Sequence, residues 1–157
     1  MNFEFATAGR ILFGEWRLRE AGALARGLGT RALVVQGSGG RAEALLALLA
    51  ESGVATSGFT VGGEPTVGLV ERGVEQARRE GCDLVVAMGG GSVIDAAKGI
   101  AVLLTNRGEV REYLEVIGSG RPLRERPAPL LRPCFRSAGM PAFGPQSQIT
   151  DVCGHLP

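Results

Sequence analysis

The chain has 157 residues, with 17 Lys plus Arg against 16 Asp plus Glu and a formal net charge of +1. That length allows one domain burying roughly two-thirds of the surface its unfolded chain would expose. The balanced charge supplies no electrostatic footprint for nucleic acid or an anionic membrane, so a small metabolite is the expected partner.

The longest aliphatic run, residues 44–50, is bracketed by Glu43 and Glu51 and falls far short of the roughly 20 residues a bilayer crossing needs. The N-terminus shows no basic segment leading into an apolar one, and a cytoplasmic protein is expected. Cys82, Cys134 and Cys153 have neither an even count nor a metal-ligand spacing, which argues against a disulfide scaffold or a structural zinc.

From about residue 9 to 105, strand-like apolar runs alternate with segments of helical spacing, predicting an α/β fold with a parallel sheet covered by helices. GRILFG (Gly9 to Gly14) reads as a short strand or hairpin arm, and Leu18, Ala21, Ala25 and Leu28 mark one face of the next helix. RALVVQ (Arg31 to Gln36) is a buried strand that runs into GSGG, after which Ala42, Leu45, Leu46 and Leu49 form another helical stripe. VATSGFTV (Val54 to Val61) is a weaker strand because Gly58 interrupts it.

GGEP then turns into a helix with Val67, Val70, Val74 and Ala77 on one face and a solvated, charged surface opposite. CDLVVAM (Cys82 to Met88) is the clearest buried strand, and Val93, Ala96, Ala97, Ile100, Ala101 and Leu104 stripe the helix after it. Beyond Asn106 the pattern loosens into one or two helical turns and a polar, proline-bearing connector. Residues 132–157 hold half of the prolines and the single histidine, His155, without an assignable period. They are expected to form an irregular tail that adds little stability, with His155 a surface residue.

Between Met88 and the following helix lie Gly89, Gly90 and Gly91, then Ser92. Glycines let a backbone approach a phosphate closely, and a helix start adds unpaired N–H groups and partial positive charge. The structural alternative is a helix cap, with Ser92 as N-cap and Asp95 three residues on as an acidic capping box. Capping explains Ser92 and Asp95 but requires no run of three glycines. The G-x-G-x-x-G dinucleotide fingerprint and the Walker A loop both fail on spacing.

GGGSVIDAAKGIA resembles the glycine-rich motif of the iron-containing alcohol dehydrogenase family, and FATAGRILFG, RALVV, GEPTV, GCDLVVAMGGGS and RPLRERPAP agree with it in order and spacing. The resemblance covers about residues 3 to 131. It implies a Rossmann-like NAD(P)-binding domain over residues 1–131, with a parallel sheet and helices on both faces, and beyond it an all-helical domain carrying iron or zinc. Gly90, Gly91 and Ser92 match positions that hold the cofactor pyrophosphate, and Gly89 before them is counted with the cofactor-binding loop. Asp95 matches one near the nicotinamide ribose, with Lys98 beside it or serving as its ion-pair partner. Glu64 matches a position beside the cofactor.

After PAPL the family's small-residue strand and Thr-Thr-Ala-Gly loop are not matched, and neither are its aspartate and three histidine metal ligands. No catalytic or metal-ligating residue is therefore assigned. A truncated or frame-shifted product is one expectation from this loss of pattern. The functional expectation is the cofactor-binding half of a metal-dependent alcohol dehydrogenase or reductase, acting on a small alcohol or aldehyde. The alternatives are a non-catalytic nucleotide-binding or interaction module and an unrelated sugar-phosphate-binding domain. Apolar surface facing the helical domain would favour a homo-oligomer.

The loop after the first nucleotide strand bears on cofactor choice. NAD-preferring members of the family carry an aspartate where this chain has Gly37, so repulsion of a 2′-phosphate is absent here. Gly37, Gly39 and Gly40 offer backbone N–H groups, Ser38 a hydroxyl and Arg41 a guanidinium, which together favour NADP over NAD. The alternative is a plain strand-to-helix turn with Arg41 in solvent.

Overall fold

The computed structural model describes residues 10–14, 16–40, 42–113, 118–135 and 147–151. In chain order the elements are β1 (Arg10–Gly14), a 3-10 turn (Arg17–Glu20), α1 (Ala21–Leu28), β2 (Arg31–Gly37), α2 (Glu43–Glu51) and β3 (Ala55–Val61). They continue with α3 (Val67–Arg79), β4 (Leu84–Met88), α4 (Gly91–Thr105), α5 (Val110–Tyr113), β5 (Leu130–Phe135) and β6 (Ser147–Asp151). The sheet order is β1-β6-β5-β4-β2-β3. Strands β3, β2, β4 and β5 run parallel, and β6 joins β5 and β1 antiparallel.

Residues 32–35 of β2 and all of β4 are apolar without interruption because both faces of the sheet are covered there. Leu33, Val35, Val85 and Ala87 point to the layer of α3 and α4, where Val70, Val74, Ala97 and Ile100 close over them. Ala32, Val34, Leu84 and Val86 point the other way, toward Ala21 and Ala25 of α1 and Leu45 and Leu49 of α2. A one-residue slip in either strand would exchange the two sets. Helices α3 and α4 meet through small residues: a Cβ on Gly73 would lie 2.4 Å from Ile100 Cδ1, and one on Gly99 would lie 3.1 Å from Val70 Cγ1.

Two polar clips hold the connections. Asp83, just before β4, accepts from Thr30 N–H at 2.9 Å, Thr30 Oγ1 at 2.7 Å and Arg31 N–H at 2.8 Å, locking the turn before β2 to the turn before β4. Partial burial pushes its pKa up, but these donated bonds outweigh that effect and the carboxyl ends below its ordinary value. Asn106, only 2% exposed, donates through Nδ2 to Val102 O and Glu125 O and accepts at Oδ1 from the N–H groups of Arg124 and Glu125. That fastens the proline-bearing connector to the end of α4, from which it enters β5.

Two expectations change. Helix α4 begins at Gly91 with Gly90 as its N-cap and no side-chain cap bond, so Ser92 lies inside the first turn and is no cap. The capping box fails because the glycine before Ser92 already adopts helical geometry. The stretch after Arg132 is also less irregular than its composition suggests, since residues 132–135 complete β5 and 147–151 form β6 between β5 and β1. Pro133 is tolerated because the ladder between β4 and β5 pairs only Leu130 and Leu131, leaving Pro133 beyond its end. His155 lies outside the described residues.

Candidate dinucleotide site

Chain order 2, 3, 4 becomes spatial order 4, 2, 3, so the connections leaving β2 and β4 depart to opposite faces of the sheet. Such a switch point opens a crevice at the carboxyl ends of the strands, where open α/β sheets bind ligands. The loops leaving β2, β3 and β4 carry the residues singled out in the sequence. Gly37 closes β2, and a Cβ there would meet Val93 Cγ2 of α4 at 3.8 Å, an ordinary contact. A larger side chain at position 37 is thus not forbidden by packing.

The three glycines after β4 divide by their surroundings. A Cβ on Gly89 would fall 2.5 Å from Val93 Cγ2 and 2.8 Å from Val93 Cβ, so Gly89 is required for α4 to pack onto the sheet. A Cβ on Gly90 or Gly91 would meet nothing within 4 Å. Neither has a positive φ, and Gly90 sits at φ −80°, ψ −167°, a backbone open to any residue. The fold itself therefore does not demand glycine at 90 or 91, whereas close approach of a ligand to the backbone does. The first intrahelical bond runs from Ile94 N–H to Gly90 O, so the N–H groups of Gly91, Ser92 and Val93 precede the helical ladder and face the anion-favouring end of its dipole.

Ser92 Oγ donates to Glu64 Oε1 at 3.3 Å, bringing the loops after β3 and β4 together. Lys98 Nζ donates to Asp95 Oδ1 at 3.2 Å on an exposed face of α4, the ion-pair arrangement. Ser38, Gly39 and Gly40 are exposed, and Gly40 adopts φ +61°, which glycine adopts without strain. Gly40 thus has a turn role of its own, while Arg41 lies outside the described residues. The sequence reading missed Asp83 and Asn106 as structural anchors. Their only signal was a polar residue at the edge of an apolar run.

Among the described residues, no group of three His, Cys, Asp or Glu side chains is placed to hold a metal ion, so the family's metal finds no fit there. At the loop, the open space over Gly90 and Gly91 leaves their backbone accessible to a ligand. Trp16 is the one large hydrophobic side chain exposed among the described residues. No described helix is long and apolar enough to cross a membrane.

The family model described as iron-containing alcohol dehydrogenase matches residues 8–132. Alcohol dehydrogenase 4 of Schizosaccharomyces pombe is 38% identical over 117 residues, covering 71% of this chain and 28% of the relative. The crystal structure of an archaeal halo-thermophilic alcohol dehydrogenase from a Red Sea brine pool superposes with a TM-score of 0.69 at 30% identity, covering 84% of this chain and 36% of that one. Sulfoacetaldehyde reductase from Bifidobacterium kashiwanohense, solved in complex with NAD+, superposes with a TM-score of 0.62 at 27% identity, covering 76% of this chain and 32% of that one. The chain thus spans little more than a third of the length of these proteins at most. By its fold, its glycine loop and these matches, the chain belongs to the iron-containing alcohol dehydrogenase family and corresponds to the N-terminal, cofactor-binding portion of its members.

Proposed function

We propose that this chain holds the nicotinamide dinucleotide of an NAD(P)-dependent alcohol dehydrogenase or reductase, with residues 1–131 as the binding unit. The observation that carries the reading is the pair of glycines, Gly90 and Gly91, that no internal contact or backbone angle requires. In this reading the N–H groups of Gly91 and Ser92 and the Ser92 hydroxyl hold the pyrophosphate at the start of α4. Gly89 lets α4 pack close enough to present them. Asp95 lies one turn further on for the nicotinamide ribose, with Lys98 holding its carboxylate by the ion pair. Bound nicotinamide exchanges a hydride with an alcohol or carbonyl carbon.

NADP is the preferred form in this proposal. Gly37 supplies no carboxylate to repel a 2′-phosphate, while Ser38, Gly39, Gly40 and Arg41 offer donors to it. The substrate class is a small alcohol or aldehyde, the compartment the cytoplasm, and the working form a homo-oligomer; the family's iron or zinc has no matching ligand set among the residues of this sequence. Titrating the chain with NADPH and NADH while following nicotinamide fluorescence tests the reading. Saturable binding with NADPH the tighter ligand is expected, and no binding of either would overturn it.

A further inference from the structure

Glu64 occupies an unusual position for a residue of an anion-binding loop. Two glycines, Gly62 and Gly63, precede it, and a Cβ on either would meet nothing within 4 Å. On its other side Pro65 and Thr66 fix the chain, since Thr66 caps α3 by accepting from Leu69 N–H at 3.2 Å. The Glu64 side chain thus stands between two glycines with open space around them and a segment anchored by the α3 cap, and its carboxylate accepts a hydrogen bond from the Ser92 hydroxyl at 3.3 Å. Glu64 is exposed and Ser92 half-buried, so the pair is open to solvent and to an incoming ligand.

A hydroxyl has a single proton to donate. When Ser92 gives it to Glu64 it cannot give it to a phosphate oxygen, and a phosphate arriving at Gly90 and Gly91 brings negative charge beside a carboxylate. Resting on the reading of this loop as a dinucleotide site, we propose that Glu64 is an internal anion that competes with the pyrophosphate for Ser92. It weakens dinucleotide binding and hastens release, the opposite of a cofactor contact.

Glu64→Gln tests this, because glutamine keeps an acceptor oxygen for Ser92 and removes only the charge. Removing one like charge at the edge of a solvated site should tighten NADH and NADPH binding by about threefold to tenfold, measured by nicotinamide fluorescence. Inorganic pyrophosphate, followed by calorimetry, should gain by a similar factor. Stopped-flow displacement should place most of the gain in a slower release rate. The advantage of the variant should shrink between low and high salt, because screening removes the repulsion in the unmodified chain. If the unmodified chain binds the dinucleotide and Glu64→Gln binds it equally or more weakly, the competition is overturned while the site stands. If neither form binds dinucleotide or pyrophosphate, both readings are overturned together.

Discussion

Replacing Gly89 and Gly91 by alanine, one at a time, separates packing from ligand approach within a single loop. At Gly89 the new methyl would lie 2.5 Å from Val93 Cγ2 and 2.8 Å from Val93 Cβ, the second belonging to the stiff base of the side chain. Relieving that overlap shifts α4 against the sheet at a cost of about 1–3 kcal/mol, typical of overpacking. For a chain of this size the melting temperature should fall by roughly 3–9 °C. At Gly91 the methyl enters open space at the first position of α4. Alanine there restricts the unfolded chain and favours the helix, so the melting temperature should rise by about 1–2 °C, for about 0.5 kcal/mol. Yet every Cα–Cβ bond of a helix tilts toward its N-terminus, which aims the methyl at the space over the loop.

Loss of a charge-assisted contact of about 1.5–3 kcal/mol would weaken dinucleotide binding roughly 10- to 100-fold at Gly91→Ala. Thermal unfolding followed by circular dichroism, alongside fluorescence titration with NADH and NADPH, reads both effects. A more stable protein that binds worse is the expected signature. Unchanged binding in Gly91→Ala, or destabilisation matching that of Gly89→Ala, would refute the reasoning.

Asp83→Ala should lower stability by about 1–2 kcal/mol, discounted because the carboxylate is exposed. Because the folded carboxyl titrates below its unfolded value, the stability it contributes is complete above about pH 5 and is lost as the pH falls below about 4. Urea unfolding of both forms against pH should therefore converge under acid, and a constant gap across the range would contradict this assignment. Asn106→Ala strands the N–H groups of Arg124 and Glu125 at the buried clip and should cost about 2–4 kcal/mol, or roughly 6–12 °C in melting temperature. An unchanged melt would mean that the connector is held by other contacts. Arg41→Ala should weaken NADPH binding roughly 10- to 100-fold and leave NADH nearly unchanged; equal loss for both would show that this loop does not read the 2′-phosphate.

Much of this molecule was legible in its residues because the information was local and periodic. Uninterrupted apolar runs at 32–35 and 84–88 mark strands buried on both faces, and the spacing of Val70, Val74 and Ala77 marks one side of a helix. The glycine run after Met88, with Ser92, Asp95 and Lys98 at fixed offsets, carries the family resemblance, because those residues act through one loop and one helix. Only tertiary structure decided what each glycine is for. Gly89 is required by a valine four residues on, while Gly90 and Gly91 face open space, a difference that exists only once α4 lies against the sheet. The Ser92–Glu64 bond and the Asn106 and Asp83 clips likewise join residues far apart in sequence, and no local period encodes a contact made across a fold. The pairing of β6 with β1 and β5 belongs with them, since its short segment, SQITD, acquires strand geometry from the neighbours it pairs with.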